Sequence, residues 1–387
     1  MSDEKVLRDL IDVIAEERGY VDYQVTIKPI SSGGANYSTN LFLATLSTQG
    51  KELHLFAKVA ALGEKLRETI TGDFYVNEQY FYTNILKRYK EIEEKYGVKA
   101  EDRFITAEFY AGNTEYLHET LVLEDLSARG FSSFNRFQSI DWPYASFAIK
   151  QLAIFHALSI AYSREYPSEY EHTVKKKLSE FPMDVLSSSM DKAFDKAVDA
   201  VKEENKERLI QWLKNPKIRR PSHKLYKSTG IPPIRHADFR PDNMMHKKLD
   251  DGTVQVITLD YQTMMEGSPV ADLVYFILLG SDKKFRDEHL QDCFDLYYSE
   301  FEAALRRFNI DSDEVYSQQT YQKEIKEFLP YMLSLSMFFL LMVTVDKNDA
   351  PKVDDGFEID DMNVPPSKLY VERINDLVED FIDLEVL

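Results

Sequence analysis

The sequence has one cysteine, Cys293, so no intrachain disulfide is possible and a reducing, cytoplasmic compartment is expected. Basic residues are also scarce. Against 66 acidic residues there are 47 basic ones, a net charge of −19, so the chain lacks the basic footprint of a nucleic-acid binder. No Gly/Pro/Ser-rich tract or repeat marks a linker. The N-terminal "MSDEKVLRDLIDVIAEERGY" is acidic and amphipathic, without the apolar core of a secretion signal. After Pro330, the uncharged apolar stretch from Tyr331 to Val345 has 15 residues. As a helix it spans about 22 Å, short of the roughly 30 Å hydrocarbon core. It also carries Ser334, Ser336 and Thr344. A buried core helix is expected, not a membrane span, and no protein partner is implied.

The elements change character along the 387 residues. After the first helix, "YQVTIKPI", "STNLFLATLS" and "ELHLFAKVA" read as an antiparallel meander broken at "SSGGAN" and "TQGK". The helical stretch "DFYVNEQYFYTNILKRYKEIEEKY" follows, and then further strands ending in "TLVLEDL". Beyond Ser127 the pattern is mostly helical. "YASFAIKQLAIFHALSIAYSREYP" is a strong helix stopped by Pro167. "VDAVKEENKERLIQWLKN" reads as amphipathic and charged, set on a solvated flap or a bundle edge and not in a site. The fold expected is α+β with two lobes: a β-rich N-lobe with one main helix over residues 1–127, and a helical C-lobe over 128–387.

One loop breaks the helical pattern. "HADFRPDN", residues 236–243, gathers a histidine, two aspartates, an arginine and an asparagine around a proline. Asp251-Gly252 is a hairpin turn signal, and "VQVITLD" then runs back as a strand. That hairpin brings Asn243 and Asp260 to one end of two adjacent strands. An amide oxygen beside a carboxylate suits Mg²⁺. Asp238, at the mouth of the loop, is placed to orient an attacking hydroxyl or accept its proton. Read as His236, Asp238, Asn243 and then Asp260-Tyr261-Gln262, the spacing is that of a kinase catalytic loop and metal motif. The plainer reading is a polar turn between strands.

Phosphoryl transfer needs a cation on the nucleotide phosphates, and the N-lobe offers Lys58 within "LFAKVA". A lysine among core-like neighbours needs an acidic partner. Glu78, on the next helix, is favoured over Glu64 and Glu68. Gly33 and Gly34, in the first strand turn, allow backbone amides to approach phosphate closely. "LVLEDLS" has the form of an interlobe hinge, where backbone groups of Glu124 and Leu126 would meet an adenine edge.

"LVLEDLSARGF", "LAIFHALS", "HADFRPDN", "LDYQ" and "SPVADLVYFI" together resemble the small-molecule branch of the kinase-like superfamily, which includes aminoglycoside and choline kinases. Within that branch the chain resembles the ecdysteroid-kinase-like (CHK kinase-like) family over roughly residues 33–276. The resemblance implies a bilobal protein-kinase-like fold, ATP and Mg²⁺, and a small-molecule alcohol as acceptor, such as an ecdysteroid-like sterol. A choline or ethanolamine-type kinase is the alternative enzyme, and a nucleotide-binding pseudokinase scaffold the alternative outside catalysis. By resemblance Asp272 is the buried aspartate that braces the catalytic loop, and His236 is scaffold. His156 reads as a satisfied core histidine. Arg240 occupies the place of a phosphate-contacting lysine, open to contact with the γ-phosphate or to service as a surface arginine. Two departures stand out: Ala237 replaces the family's usual glycine, and Tyr261 its usual phenylalanine.

Overall fold

The computed structural model describes residues 3–30, 39–64, 67, 74–174, 178, 183–219, 228–346, 348–351 and 359–387. Helix α1 (Asp3–Glu17) precedes a five-stranded antiparallel sheet in the order β1-β2-β3-β5-β4. Its strands are β1 (Gln24–Ile30), β2 (Thr39–Thr48), β3 (Lys51–Ala60), β4 (Phe109–Asn113) and β5 (Thr120–Glu124). Period-2 alternation gives the sheet two apolar faces. Leu55 and Ala57 of β3 join Leu7, Ile11, Ile14 and Ala15 of α1 in a small core. Phe56 and Lys58 point the other way, toward α2 (Phe74–Tyr80).

Helix α2 continues through a π-helical turn, Phe81–Ile85, into α3 (Leu86–Lys95). The segment read as one regular helix thus carries an extra residue per turn in its middle. Phe81, Tyr82 and Ile85 in that turn are all buried. Polar contacts tie this helix to the C-lobe. Arg88 pairs with Glu169 at 2.8 Å, the Tyr80 hydroxyl lies 3.0 Å from that of Thr173, and Tyr96 donates to Glu165 at 2.6 Å.

The helical lobe is built from α4 (Trp142–Glu165), α5 (Pro167–His172), α6 (Ser187–Ala200), α7 (Glu203–Leu213), α8 (Pro269–Gly280), α9 (Lys283–Arg307), α10 (Gln318–Thr344) and α11 (Lys368–Asp383). Pro167 both ends α4 and opens α5, where its missing N–H costs nothing. The amphipathic stretch from Val198 to Asn215 is not one helix: it is interrupted at Val201 and Lys202. Asn375 of α11 holds the break, accepting from Lys202 N–H at 2.8 Å and donating to the Ala200 carbonyl at 2.9 Å.

The apolar run of α10 is buried as expected, and its Ser334, Ser336 and Thr344 hydroxyls donate to backbone carbonyls one turn back. Cys293 is buried in α9, and burial pushes its thiol up to about 12. Two further features set the frame of the site. All 12 residues of α8 are buried, capped by Ser268. The buried Glu324 of α10 accepts from Ser228 and Ser268 hydroxyls (2.9 and 2.5 Å), the Thr229 amide (2.5 Å) and the Tyr316 hydroxyl (2.7 Å). It thereby pins the start of α8 to the chain segment that leads into the 236–243 loop.

Candidate active site

After the short strand β6 (Ser132–Ser133), the loop 236–243 lies between β7 (Ile234–Arg235) and β8 (Met244–Lys248). Strand β8 pairs with β9 (Val254–Thr258), Met244 facing Thr258, around a turn in which Gly252 takes φ +86°. The ladder extends to a 2.8 Å bond from the Leu259 amide to the Asn243 carbonyl. Asn243 and Asp260 therefore sit at one end of the hairpin.

Asp272 grips the loop backbone from below. Its carboxylate accepts from His236 N–H at 2.6 Å and from Ala237 N–H at 3.0 Å. Burial opposes its charge, but the His156 hydrogen bond and nearby Arg235 hold its carboxyl below the ordinary range. His156, fully buried, contacts Tyr297 and Asp272 and is a satisfied core histidine. His236 meets the Leu259 carbonyl at 3.0 Å through Nε2 and the Asp238 amide at 3.3 Å through Nδ1. Ala237 adopts φ +64°, the left-handed region that favours glycine.

Asp238 is held by three donors. The Asn243 amide reaches its Oδ2 at 2.7 Å, while Arg240 Nε (3.0 Å) and the Tyr275 hydroxyl (2.9 Å) share Oδ1. The Asn243 NH₂ is spent on this bond and on the Asp238 carbonyl, leaving its amide oxygen as the donor atom for a cation. Arg240 is not a free surface arginine. It bridges Asp238 and Asp242, whose charges keep it ionised despite burial. Asp242 and Tyr275 are the site residues the sequence reading missed. Tyr275 had a signal: it lies three positions after Asp272, on the same face of α8.

Lys58 meets Glu78 at 2.9 Å and Asp260 at 2.8 Å, so the ion pair expected between β3 and the following helix is formed. Glu64 is not in that pair, and Glu68 lies outside the described residues. Burial disfavours the Lys58 ammonium, but the two carboxylates outweigh it and hold its pKa above the ordinary lysine value. Burial likewise works against the Asp260 carboxylate, and Lys58 overrides it, keeping Asp260 ionised. Glu78 is the more buried acid, and there burial prevails and lifts its carboxyl. Asp260 is also left-handed, at φ +68°. Tyr261 accounts for its departure from phenylalanine: its ring stacks on Phe81 at 3.7 Å and its hydroxyl reaches the Thr258 carbonyl at 3.2 Å.

At the end of β5 the Glu124 amide donates to the Glu108 carbonyl at 2.8 Å, and its carboxylate pairs with Arg129 at 3.0 Å. The Leu126 carbonyl accepts from Phe131 N–H at 3.1 Å. Gly33 and Gly34 lie outside the described residues. Among the described residues no group of three or more His, Cys, Asp or Glu side chains gathers to hold a metal ion. A two-donor site, Asn243 and Asp260, fits a hard cation that takes its other oxygens from a phosphate ligand and water.

The model of the ecdysteroid kinase-like family matches residues 33–310. No curated protein matches the chain significantly. Among solved structures, an ethanolamine kinase of Plasmodium vivax is similar with TM-score 0.43 and 10% identity, over 98% of this chain and 89% of that one. The GDP complex of wild-type aminoglycoside 2'-phosphotransferase-IIIa gives 0.43 and 11%, over 97% and 98%. A glucosamine kinase gives 0.35 and 12%, over 97% and 83%.

Proposed function

The chain belongs to the ecdysteroid kinase-like family, and from that premise we propose that it is an ATP- and Mg²⁺-dependent kinase whose acceptor is a hydroxyl of a lipophilic small molecule, with an ecdysteroid-like sterol as first candidate. Family and kinase-like fold make it a small-molecule phosphotransferase; nucleotide, metal and acceptor are our reading. One observation carries that reading. Lys58 and Glu78 of the N-lobe meet Asp260 of the C-lobe at the end of the β8–β9 hairpin where Asn243 and Asp238 also lie.

In this reading Lys58 binds nucleotide phosphate and Glu78 keeps it aimed. The Asn243 amide oxygen and the Asp260 carboxylate hold Mg²⁺, which supplies charge neutralisation on the phosphates. The Leu126 amide and the Glu124 backbone meet the adenine edge. Asp238 accepts a hydrogen bond from the acceptor hydroxyl. As the acceptor oxygen bonds to the γ-phosphorus, the bond to the bridging oxygen of ADP breaks and the hydroxyl proton passes to Asp238. Arg240, bound to Asp238 and Asp242, fixes the loop and adds positive charge beside the transferring group. A cytoplasmic location suits the lone buried thiol.

The test is turnover of labelled ATP with Mg²⁺ against a panel of ecdysteroids, choline, ethanolamine and sugar alcohols. Transfer to an ecdysteroid supports the reading, and transfer to choline or ethanolamine alone moves the acceptor class. Nucleotide binding without any turnover, with water included as acceptor, leaves a scaffold. Asp238→Asn should cut turnover roughly 10²- to 10⁴-fold with ATP affinity little changed. Equal losses in both would make Asp238 a structural or metal residue.

A further inference from the structure

The donor that Tyr275 offers to Asp238 is not part of the kinase loop motif. Its ring belongs to α8, otherwise apolar between Leu273 and Gly280, and is buried. The ring packs edge-on against Phe339 of α10, centroids 5.3 Å apart, which restrains its rotation. Burial and the nearby carboxylate raise the phenol well above its ordinary range, so the hydroxyl keeps its proton and can only donate to Asp238. Helix α8 thus grips the loop twice along one face. Asp272 fixes the backbone of His236 and Ala237, and one turn later Tyr275 fixes the Asp238 side chain.

An aspartate carboxylate turns about two torsions, and the second is soft. The Asn243 amide alone leaves Oδ1 unplaced. Arg240 reaches Oδ1 but is itself shared with Asp242. Among the described residues, the Tyr275 hydroxyl is the donor to Oδ1 that comes from a helix and not from the loop itself. Resting on the functional reading above, we infer that Tyr275 is a positioning residue of the transfer reaction: it holds the Asp238 carboxylate in the orientation that receives the acceptor hydroxyl. Among the described residues its hydroxyl bonds Asp238 and not Lys58, Asn243 or Asp260, so its effect passes through Asp238.

Tyr275→Phe keeps the ring and its contact with Phe339 and removes only the hydroxyl. With ATP–Mg²⁺ and an ecdysteroid, and separately with water as acceptor, kcat should fall about 10- to 100-fold, part of what the base itself contributes. KM for ATP should stay within about twofold, since the nucleotide groups are untouched. Added to Asp238→Asn, Tyr275→Phe should cost nothing more, because residues that act as a unit are not additive. Unchanged kcat, a parallel rise in the KM for ATP, or fully additive losses would each overturn the inference while leaving the kinase reading in place. Loss of cooperative unfolding in Tyr275→Phe would do the same, making the hydroxyl a folding bond. A wild-type chain with no ATP turnover at all overturns the functional reading, and this inference with it.

Discussion

At the residue scale the chain accepts strain where the loop is most tightly held. Ala237, at φ +64°, sits where its Cβ crowds the following carbonyl, at about 1–2 kcal/mol. Glycine would remove that cost but gain freedom in the unfolded chain, worth about 0.4–1 kcal/mol. Ala237→Gly should therefore raise stability slightly, by about 0.5 kcal/mol, in urea denaturation with an unchanged slope. A loss of stability would mean that the methyl makes packing contacts worth more than the strain. The individual side chains were unevenly legible in the sequence. Lys58, Glu78, Asp238, Asn243 and Asp260 stand at spacings set by local elements, so a linear reading can find them. Arg240 was ambiguous because its two partners are decided by side-chain rotation. Tyr275 was passed over because its partner is 37 residues away, and its one local mark, the helical spacing from Asp272, does not say which group it meets.

At the element scale, α8 is the beam on which the loop rests, and Glu324 fastens its first turn. The carboxylate satisfies hydroxyls and an amide from four separate places: Ser228, Thr229, Ser268 and Tyr316. Hydrogen bonds to a charged group are worth about 1.5–3 kcal/mol each, and stranded buried donors cost more. Glu324→Ala should thus destabilise by about 3 kcal/mol or more, read from the denaturation midpoint, with turnover falling as the Ser268 cap loosens. A change below about 1 kcal/mol would show that water replaces the carboxylate. The elements themselves follow from short-range pattern: period-2 alternation in β1–β3, the Asp251-Gly252 turn, and Pro167 as a helix stop. The break at Val201 and Lys202 does not, because Asn375, more than 170 residues on, imposes it. The π-helical turn at Phe81–Ile85 is likewise a tertiary choice, coinciding with the stacking of Phe81 on Tyr261.

At the scale of the whole molecule, stability should depend on acidity through two buried imidazoles. Burial lowers the pKa of both His156 and His236 in the fold. Asp272 faces both, Arg235 lies near His156, and Asp238 and Asp260 lie near His236. Unfolded, each titrates near ~6.5. Between that value and the lower folded one, the unfolded chain binds more protons. Their effect on stability is therefore nil above about pH 6.5, and stability falls as the pH drops below it, by at most about 1.4 kcal/mol per pH unit per histidine. The buried Glu93, whose carboxyl burial lifts to about 7, works in the opposite sense over the same range, so the histidine contribution is read as a difference: between pH 6.5 and 5.5 the urea midpoint should fall further, or rise less, in the wild type than in His156→Gln. Identical slopes in the two proteins would mean that His156 protonates inside the fold.

Cys293 has a consequence for how such openings can be observed. It is the sole thiol of 387 residues, buried in α9 and chemically quiet while the helix stays packed. A thiol reagent added to the native protein can label it only through transient opening of that part of the lobe. The labelling rate then reports the population of the open form, with no fluorophore or added tag. Against so silent a background, a cysteine introduced on the surface of either lobe becomes a unique attachment point, and a pair of them a ruler across the cleft.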